Sequence, residues 1–307
     1  MDYKIVDAHA HLWIKQDTEW DGKPIRSLRN GRSIFLGEEV QMLPPYMLDG
    51  QNTAEIFLSC MDYAQVSGAV ITQEFIDGLQ NDYLLSVQQR WPDRFVCCGM
   101  PDTRRPGFLD QARQLLDSGF RALKIPAHRL ILSDRRVMLN SPEMMQMFDL
   151  MESRGAILSI DLAEGDAQVA EMEEVIAEHP GLKIAIGHFG MVNRPGWLEQ
   201  IKLARHVNVM VESGGITWLF HSEFYPYAGA IRAIREAIDL VGADKLMWGS
   251  DYPRTIVAIT YRMSYDFIQK SPDLTEAEKA AILGGNAQAF YGFGRLPELP
   301  YIKNMSE

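Results

Sequence analysis

Short apolar runs alternate with amphipathic stretches along almost the whole chain. The apolar runs predict eight β-strands, at residues 4–9, 68–73, 94–99, 122–125, 156–161, 183–188, 208–212 and 245–249. Between them, apolar residues recur every three or four positions, which predicts helices at residues 53–65, 81–90, 108–118, 142–154, 166–178 and 227–241. This alternation favours parallel strands joined by helices, and about eight such units close a barrel. We therefore predict an α/β fold, a (β/α)8 TIM barrel in regular or distorted form.

The chain shows no sign of division into domains. A last helix is predicted to begin at Thr275, where Thr275 and Glu278 have the spacing of a capping box. No linker, low-complexity tract or repeat beyond the strand and helix alternation is present in the sequence. With 307 residues, of which 47% are hydrophobic, the chain can bury one large core. We predict a single domain over residues 1–307.

One segment, residues 14–50, interrupts the alternation. It is rich in Gly, Pro and charged residues and is much longer than an ordinary strand-to-helix loop, which is typical of a lid or a binding loop. Because it follows the first strand, it is expected to overhang the mouth of the barrel with Trp13, Arg26, Arg29 and Arg32. A subunit contact is an equally good explanation of the segment.

The first strand carries two histidines, His9 and His11, near its end. Strand residues two apart point to the same side, so both imidazoles are expected to face one site. Imidazole is a common metal ligand and an acid or base near neutral pH. The pair by itself is equally compatible with two histidines that only pack or meet solvent.

Three later strands also end on a residue that can bind a metal or transfer a proton. The fifth ends on Asp161, the sixth on His188 and the eighth on Asp251. Singly, either carboxylate could cap the following helix, and His188 could be a hydrogen-bonded core histidine. In a barrel, however, the carboxyl ends of the strands meet at one mouth. Together with His9 and His11, these residues predict a catalytic site there.

Other polar residues lie near the same strand ends. Asp7 is expected to accept the second N–H of an imidazole, unless it makes a purely structural hydrogen bond. Lys124 is a cation in an apolar strand and either meets an anionic substrate or extends to solvent. Glu212, His128 and His221 are candidate substrate contacts, since they lie at or after strand ends.

Charge and composition limit the class of protein. The net charge of −11, from 30 Lys and Arg against 41 Asp and Glu, opposes binding to nucleic acids and to anionic membrane surfaces. The first residues lack the features of a secretory signal, and no apolar run is long enough to span a bilayer. We expect a soluble cytoplasmic enzyme with a small-molecule substrate, and the three cysteines are expected to be free thiols. The aromatic loop at residues 218–227 either stacks on a ligand or forms a homodimer contact, and we favour the contact.

The residues at the strand ends resemble a known family. The segments Val6-Asp-Ala-His-Ala-His-Leu-Trp13, Ile186-Gly-His-Phe-Gly190 and Trp248-Gly-Ser-Asp-Tyr-Pro253 resemble the amidohydrolase superfamily, in its branch of lactonases and decarboxylases. The order of these motifs, the Asn81-Asp-Tyr and Trp91-Pro-Asp-Arg-Phe95 segments and the closing Leu283-Gly-Gly-Asn-Ala287 also look like this branch. The resemblance spans most of the chain and implies a TIM-barrel enzyme.

One departure from the family pattern bears on the subgroup. Decarboxylases of this branch usually carry a metal-binding histidine at the end of strand five, where this chain has Asp161. A carboxylate there looks more like the sugar-lactone and 2-pyrone-4,6-dicarboxylate lactonases, some of which work without a metal. The resemblance therefore implies either a divalent ion or a metal-free polar site. An ion would be held by His9, His11 and Asp251, with Asp161 as a further candidate ligand, and nitrogen and carboxylate ligands without thiolate fit zinc or manganese.

The resemblance implies hydrolysis of a lactone from a sugar acid or from the breakdown of an aromatic ring. Asp251 would accept the proton of the attacking water, the ion or the two histidines would polarise the carbonyl, and His188 would stabilise the oxyanion. Lys124 and the arginines of the insertion would hold a substrate carboxylate or hydroxyl. The alternatives are a metal-dependent decarboxylase or hydratase acting on a small carboxylic acid, and a sugar-acid binding protein without catalytic activity.

Overall fold

The computed structural model describes residues 3–132, 136–303 and 305, nearly all of the predicted domain. In chain order its strands are β1 (Ile5–His11), β2 (Asp17–Trp20), β3 (Lys23–Ser27), β4 (Arg32–Phe35), β5 (Glu38–Gln41), β6 (Val66–Thr72), β7 (Phe95–Gly99), β8 (Ala122–Ile125), β9 (Ile157–Ile160), β10 (Lys183–Ile186), β11 (Val209–Glu212) and β12 (Leu246–Met247). Eight of them form one sheet in the order β1-β6-β7-β8-β9-β10-β11-β12, and neighbouring strands in this order are parallel. The predicted TIM barrel is confirmed.

The barrel closes between β1 and the segment around β12. The Ala8 N–H donates to the carbonyl of Trp248 over 2.9 Å, and the N–H of Asp251 donates to the carbonyl of His9 over 2.9 Å. The strand predicted at residues 245–249 is shorter than expected, because the Trp248 N–H donates to the carbonyl of Ile282 and the Gly249 N–H donates to the Ser213 hydroxyl. At Ser250 the N–H donates to the Asp7 carboxylate of β1. The seam therefore depends partly on a side chain.

The helices are α1 (Ala54–Ala64), α2 (Asn81–Arg90), α3 (Phe108–Ser118), α4 (Ala127–Leu132), α5 (Pro142–Ser153), α6 (Val169–Glu178), α7 (Trp197–Lys202), α8 (Ile216–Leu219), α9 (Ala228–Val241), α10 (Met263–Lys270), α11 (Glu276–Ala280) and α12 (Asn286–Tyr291). All the predicted helices are present, with ends shifted by up to a few residues, and the capping box at Thr275 is confirmed. Helices α4, α7, α8 and α10 were not predicted, because at four to eight residues they are too short to show a clear apolar period.

Two apolar clusters pack against the barrel strands, one inside the barrel and one between the strands and the helices. Inside the barrel, small and medium side chains from alternate strand positions meet residues of the C-terminal segment; this inner cluster includes Val6, Ala8, Val70, Val96, Cys98, Ala122, Met247, Phe290 and Phe293. A larger cluster fills the space between the strands and the helices. The inner side chains close the amino-terminal end of the barrel, which leaves the carboxyl ends of the strands open to form a site.

Residues 14–50 form an ordered antiparallel sheet, β2-β3-β4-β5, where the sequence predicts a loop. Two of its turns contain a residue and a glycine that both have positive φ, at Asp21-Gly22 (49° and 69°) and at Leu36-Gly37 (53° and 94°). Such pairs match the right-handed twist of a hairpin. The Asp-Gly pair is a hairpin signal that the composition of the segment obscured.

The insertion sheet is attached to the barrel by buried contacts. The Trp13 indole is fully buried and donates to the carbonyl of Gly50 over 3.1 Å. Trp20 at the end of β2 stacks on Phe75, with ring centroids 6.3 Å apart, in the 3-10 turn Phe75–Asp77 that follows β6. This turn lies at the carboxyl end of the barrel, so the insertion packs beside the predicted site.

Two further expectations concern the whole chain. Cys60, Cys97 and Cys98 are free thiols, as predicted, and the last two are buried. Within the described residues, no helix has the length and apolar character needed to cross a membrane.

Gly31 provides a test of the packing of the insertion. An alanine Cβ at Gly31 would fall against the carbonyl oxygens of Leu43 and Pro44, and its φ of 69° disfavours any side chain. We expect Gly31→Ala to speed limited proteolysis within residues 14–50 by about 10-fold or more, while the far-UV circular dichroism of the barrel stays unchanged.

The matched control is Gly37→Ala, which has φ 94° but open space around the added carbon. It introduces backbone strain without the collision. Equal proteolysis of the two variants would contradict the packing described for Gly31.

Candidate active site

A cavity of about 220 Å³ opens at the carboxyl ends of the barrel strands. Its lining combines charged and apolar side chains, namely His11, Glu74, Ile76, His128, Arg129, Leu162, Glu164, His188, Met191, Trp218, Asp251 and Arg254. These residues come from β1 and from the segments that follow β6, β8, β9, β10, β11 and β12. The strand-end residues predicted from the sequence therefore do converge on one place.

His9, His11 and Asp251 form the centre of the floor. The Nε2 atoms of His9 and His11 are 3.1 Å apart, and His11 Nε2 is 3.1 Å from Asp251 Oδ1. His9 Nε2 is 3.9 Å from the same oxygen. All three residues are at most 2% exposed. Two imidazole nitrogens and one carboxylate oxygen thus face a common point.

The far side of each imidazole contacts a buried carboxylate. His9 Nδ1 lies 2.6 Å from Glu212 Oε1, and His11 Nδ1 lies 3.2 Å from Asp77 Oδ2. Such contacts fix the tautomer and the plane of an imidazole ring. Burial lowers the pKa of His9 despite the Glu212 charge, whereas for His11 the opposing carboxylates outweigh burial and raise the pKa. His9 is therefore neutral at neutral pH, as a ligand must be.

Asp7 does not make the imidazole contact expected of it. The pairing of β1 with β6 is irregular between Asp7 and Ala10, and the Asp7 carboxylate accepts the backbone N–H of His9 instead. The remaining donors to Asp7 are the hydroxyls of Ser250 (2.5 Å) and Tyr261 (2.7 Å) and the Ser250 N–H. Burial raises the pKa of Asp7 to about 7 against these hydrogen bonds. Glu212 occupies the orienting position that the sequence suggested for Asp7.

Asp251 is held by an aromatic side chain. The Trp218 indole N–H donates to Asp251 Oδ2 over 2.9 Å, and Asp251 itself has a φ of 56°. Burial would raise the pKa of Asp251, but the contacts with His11 and with the Arg254 charge hold it well below its usual range. Among the described residues, Asp251 Oδ1 has no hydrogen-bond partner. The carboxylate is ionised, and Asp251 lines the cavity.

A second buried group lies beside this centre. Lys124, which is fully buried, donates to Asp161 Oδ1 over 2.5 Å, and Asp161 Oδ2 is 3.6 Å from His188 Nε2. Burial opposes ionisation of Asp161, but Lys124 and His188 hold its pKa well below the usual range. For His188, the charges of Asp161, Asp251 and Glu212 outweigh burial and raise the pKa to about 9. His188 is thus an imidazolium at neutral pH.

The donors of the floor fit a divalent cation. Ligand atoms on a tetrahedral zinc ion, at about 2.0–2.1 Å from the metal, lie roughly 3.3 Å apart. Both separations of 3.1 Å at His11 Nε2 are close to that value. Asp251 Oδ1 and Asp161 Oδ2 are buried and lack hydrogen-bond partners within the described part of the chain, as expected of oxygens that face a cation. Nitrogen and oxygen donors without thiolate fit zinc or manganese.

Two arginines also line the cavity. Arg129 pairs with Glu74 Oε2 over 2.7 Å, and Arg254 pairs with Asp77 Oδ1 over 2.8 Å. His128 lies 3.7 Å from Glu74 and lines the cavity as predicted. The wall therefore offers positive groups that remain within reach of a bound anion.

Several predicted contacts lie elsewhere. Trp13 is buried under the insertion, and His221 is exposed on the loop after α8. The three arginines of the insertion are exposed; Arg26 contacts Asp17 and Arg32 contacts Glu39, and none of Arg26, Arg29 and Arg32 is among the lining residues. Lys124 and Glu212 are buried beneath the cavity floor.

The structure adds five site residues that the sequence analysis did not select, namely Glu74, Asp77, Arg129, Trp218 and Arg254. Glu74 follows the predicted second strand directly, so the rule applied to the other strand ends could have identified it. Arg254 lies three residues after Asp251, and Arg129 is adjacent to His128. Trp218 belongs to the aromatic loop that was assigned to a subunit contact. Its role at Asp251 has no sequence signal.

Several solved structures are similar in fold to this chain. Three similar solved structures are a protein assigned as a 2-pyrone-4,6-dicarboxylic acid hydrolase from Pseudomonas putida, an amidohydrolase from Burkholderia multivorans with bound zinc, and 5-carboxyvanillate decarboxylase from Sphingomonas paucimobilis. The first is 21% identical with a TM-score of 0.69 and covers 95% of this chain and 99% of its own. The second is 16% identical with a TM-score of 0.69 and covers 96% of this chain and 100% of its own. The third is 17% identical with a TM-score of 0.65 and covers 95% of this chain and 99% of its own.

At these identities the solved structures establish a shared fold. No curated protein matches the sequence closely enough to be compared. The model of the amidohydrolase family, in contrast, matches residues 6–293, a range that includes both histidines of β1, His188 and Asp251. The chain belongs to the amidohydrolase family.

Proposed function

We propose that this protein is a hydrolase that opens a small lactone carrying a carboxylate, with Asp251 as general base and a divalent ion on His9, His11 and Asp251. The observation that carries the proposal is the ionised carboxylate of Asp251 at the cavity lining, whose Oδ1 makes no hydrogen bond among the described residues and lies 3.1 Å from His11 Nε2. A carboxylate aimed at bound water is what hydrolysis of a carbonyl ester requires.

Asp251 is arranged to accept a proton in one orientation. Trp218 occupies Oδ2, so Oδ1 is the oxygen left for catalysis. A carboxylate oxygen has two lone-pair directions, so Oδ1 can face an ion and still accept the proton of a water molecule. The water oxygen then bonds to the lactone carbonyl carbon. When the ring C–O bond breaks, the proton passes from Asp251 to the leaving oxygen.

Because its pKa is so low, Asp251 alone is a weak base for ordinary water. This favours a site that contains a metal, since a metal makes the attacking water more acidic. A divalent ion at His9, His11 and Asp251 would polarise the carbonyl and lower the pKa of water to about 7. Glu212 and Asp77 keep the two imidazoles oriented toward that position.

His188 is the candidate for stabilising the oxyanion. Its side chain lines the cavity, and its Nδ1 atom is 2.9 Å from the carbonyl of Gly214, which fixes the ring. His188 is positively charged at neutral pH, so it would stabilise the negative charge that develops on the carbonyl oxygen.

The cavity wall supports an acidic substrate. Arg129 and Arg254 line the cavity, whereas Lys124 and the arginines of the insertion do not. Guanidinium groups bind carboxylates through paired hydrogen bonds. The relatives named for 2-pyrone-4,6-dicarboxylic acid and 5-carboxyvanillate have acidic substrates by name, which supports the same class here.

Product analysis tests the proposed reaction. We expect nuclear magnetic resonance spectra of a carboxylated lactone incubated with the enzyme to show the ring-opened hydroxy acid, without release of carbon dioxide. Loss of carbon dioxide with no consumption of lactone would instead support a decarboxylase, the other activity found among proteins of this fold.

Asp251→Asn removes the base while it conserves the size of the side chain. We expect kcat for the lactone to fall by about 10²- to 10⁴-fold. Asp266→Asn is the matched control, because Asp266 is also buried but pairs with Lys270 on α10. Similar losses in both variants would contradict a specific role for Asp251.

Trp218→Phe keeps a ring at the cavity wall and removes the hydrogen bond to Asp251. Since a hydrogen bond to a charged group contributes about 1.5–3 kcal/mol, we expect kcat to fall by about 10-fold or more with KM little changed. The control Trp197→Phe alters a ring on α7 that stacks on Phe189. A rise in KM with an unchanged kcat would show that Trp218 only contacts substrate.

Arg129→Gln tests the proposed substrate charge. We expect KM to rise by about 10-fold for a lactone that carries a carboxylate and to change by less than about 2-fold for an uncharged lactone. Arg32→Gln, on the exposed face of the insertion, should leave both values unchanged. An equal effect of Arg129→Gln on both lactones would contradict recognition of a carboxylate.

A further inference from the structure

Two sets of side chains at the floor of the barrel mouth have the spacing of a metal site. One set is His9, His11 and Asp251, and the other is His9, Asp161 and His188. In each set the donor atoms lie within 4.8 Å of one another. The two sets share one member, His9.

The shared histidine makes the two sets alternatives. Its Nδ1 atom lies 2.6 Å from Glu212 Oε1, so that only Nε2 is left for an ion. An imidazole nitrogen has one lone pair in the plane of the ring and binds one ion. An ion can therefore use His9 together with His11 and Asp251, or together with Asp161 and His188, but both positions cannot be filled through His9.

The second set already contains a cation. The Lys124 ammonium is fully buried and lies 2.5 Å from Asp161 Oδ1. Asp161 is the only carboxylate of that set. An ion bound there would share this carboxylate with Lys124 and would be repelled by the ammonium over a short distance in a buried environment, where charges are poorly screened.

The first set has a different electrostatic environment. The group that holds Asp251 is the neutral indole of Trp218, at Oδ2, and Oδ1 is left without a hydrogen bond among the described residues. Arg254 Nη1 is 3.8 Å from Asp251 Oδ1, but this guanidinium donates to Asp77 over 2.8 Å. The Asp77 charge therefore offsets that of Arg254, and Asp251 remains available to an ion.

We propose that Lys124 selects the metal position: its ammonium group occupies the cation site at Asp161 and restricts a single divalent ion to His9, His11 and Asp251. As a consequence, His188 is not a ligand and remains free to act on the substrate. This inference rests on the metal-containing form of the proposed function. It concerns where the ion binds and does not depend on which substrate is hydrolysed.

Zinc affinity of the chelator-treated protein, measured by competition with a chromogenic chelator, tests the proposal without substrate. We expect His11→Ala to weaken zinc binding by about 100-fold and His188→Ala to change it by less than about 3-fold. In the Lys124→Met background the second position opens, so His11→Ala should weaken binding by less than about 10-fold, and adding His188→Ala to that double variant should then weaken binding by about a further 10-fold.

The result that overturns the proposal is a similar loss of zinc affinity in His11→Ala and His188→Ala with Lys124 intact. Absence of zinc binding by the unaltered protein would also overturn it, while lactone hydrolysis measured separately would still decide the proposed reaction. If His188→Ala has no effect on zinc binding by the Lys124→Met, His11→Ala protein, Lys124 does not select the position.

Lys124→Met leaves Asp161 buried without its cation, so thermal unfolding of this variant is measured first. If Lys124→Met does not fold, Lys124→Gln is used in its place, because glutamine keeps a hydrogen-bond donor to Asp161 without the positive charge. Visible spectra of the cobalt-substituted protein give a second readout on the unaltered Lys124. The spectrum should change in His11→Ala and remain the same in His188→Ala, and the reverse pattern contradicts the proposal.

Discussion

The cost of burying charge determines how the barrel mouth is built. Five carboxylates, Glu74, Asp77, Asp161, Glu212 and Asp251, are each at most 6% exposed. A buried charge is tolerated only with a partner of opposite charge or with hydrogen bonds to its oxygens. All five contact Lys124, Arg129, Arg254 or an imidazole. Three of them, Asp77, Asp161 and Asp251, keep one oxygen without a hydrogen bond among the described residues, and the proposed function assigns the role of base to the one on Asp251.

The same constraint connects the insertion sheet to the site. Asp77 contacts both Arg254 and His11, and it also accepts a hydrogen bond of 2.9 Å from Gln16, which precedes β2. Gln16 in turn accepts the Ser33 hydroxyl over 3.1 Å, within β4. A buried polar chain thus runs from the insertion to the imidazole of His11. The insertion acts as a packed wall of the site, although its own arginines are directed to solvent.

Sequence patterns predicted the barrel and selected much of the candidate active site, because parallel strands bring their carboxyl ends together whatever the detailed packing. His9, His11, His188 and Asp251 could be found in this way, since each follows an apolar run. The direction of Asp7 could not be found, because the irregular pairing between Asp7 and Ala10 breaks the period of two on which the prediction relied. The carboxylate that contacts the His9 imidazole is that of Glu212 on β11, and not that of Asp7 on the same strand.

Contacts between residues far apart in the chain were also beyond prediction. Lys124 is a cation in a strand, and its sequence alone could not distinguish exposure at the rim from pairing with Asp161. Trp218 has the composition of an interface loop, and only the fold places its N–H against Asp251. The subunit contact predicted for the aromatic loop stays a prediction. The lactonase assignment rested partly on Asp161, and the pairing of this residue with Lys124 now provides a physical reason why it need not be a metal ligand.

In the proposed function, one metal ion and Asp251 together hydrolyse a carboxylated lactone. This can be tested by proton release from a panel of such lactones, recorded with a pH indicator before chelation, after chelation and after return of zinc or manganese. Hydrolysis should be lost on chelation and restored when a single ion per chain is returned. Undiminished hydrolysis by protein shown to be free of metal would contradict the role of the ion, and absence of hydrolysis across the panel in metal-loaded protein would contradict the proposed reaction.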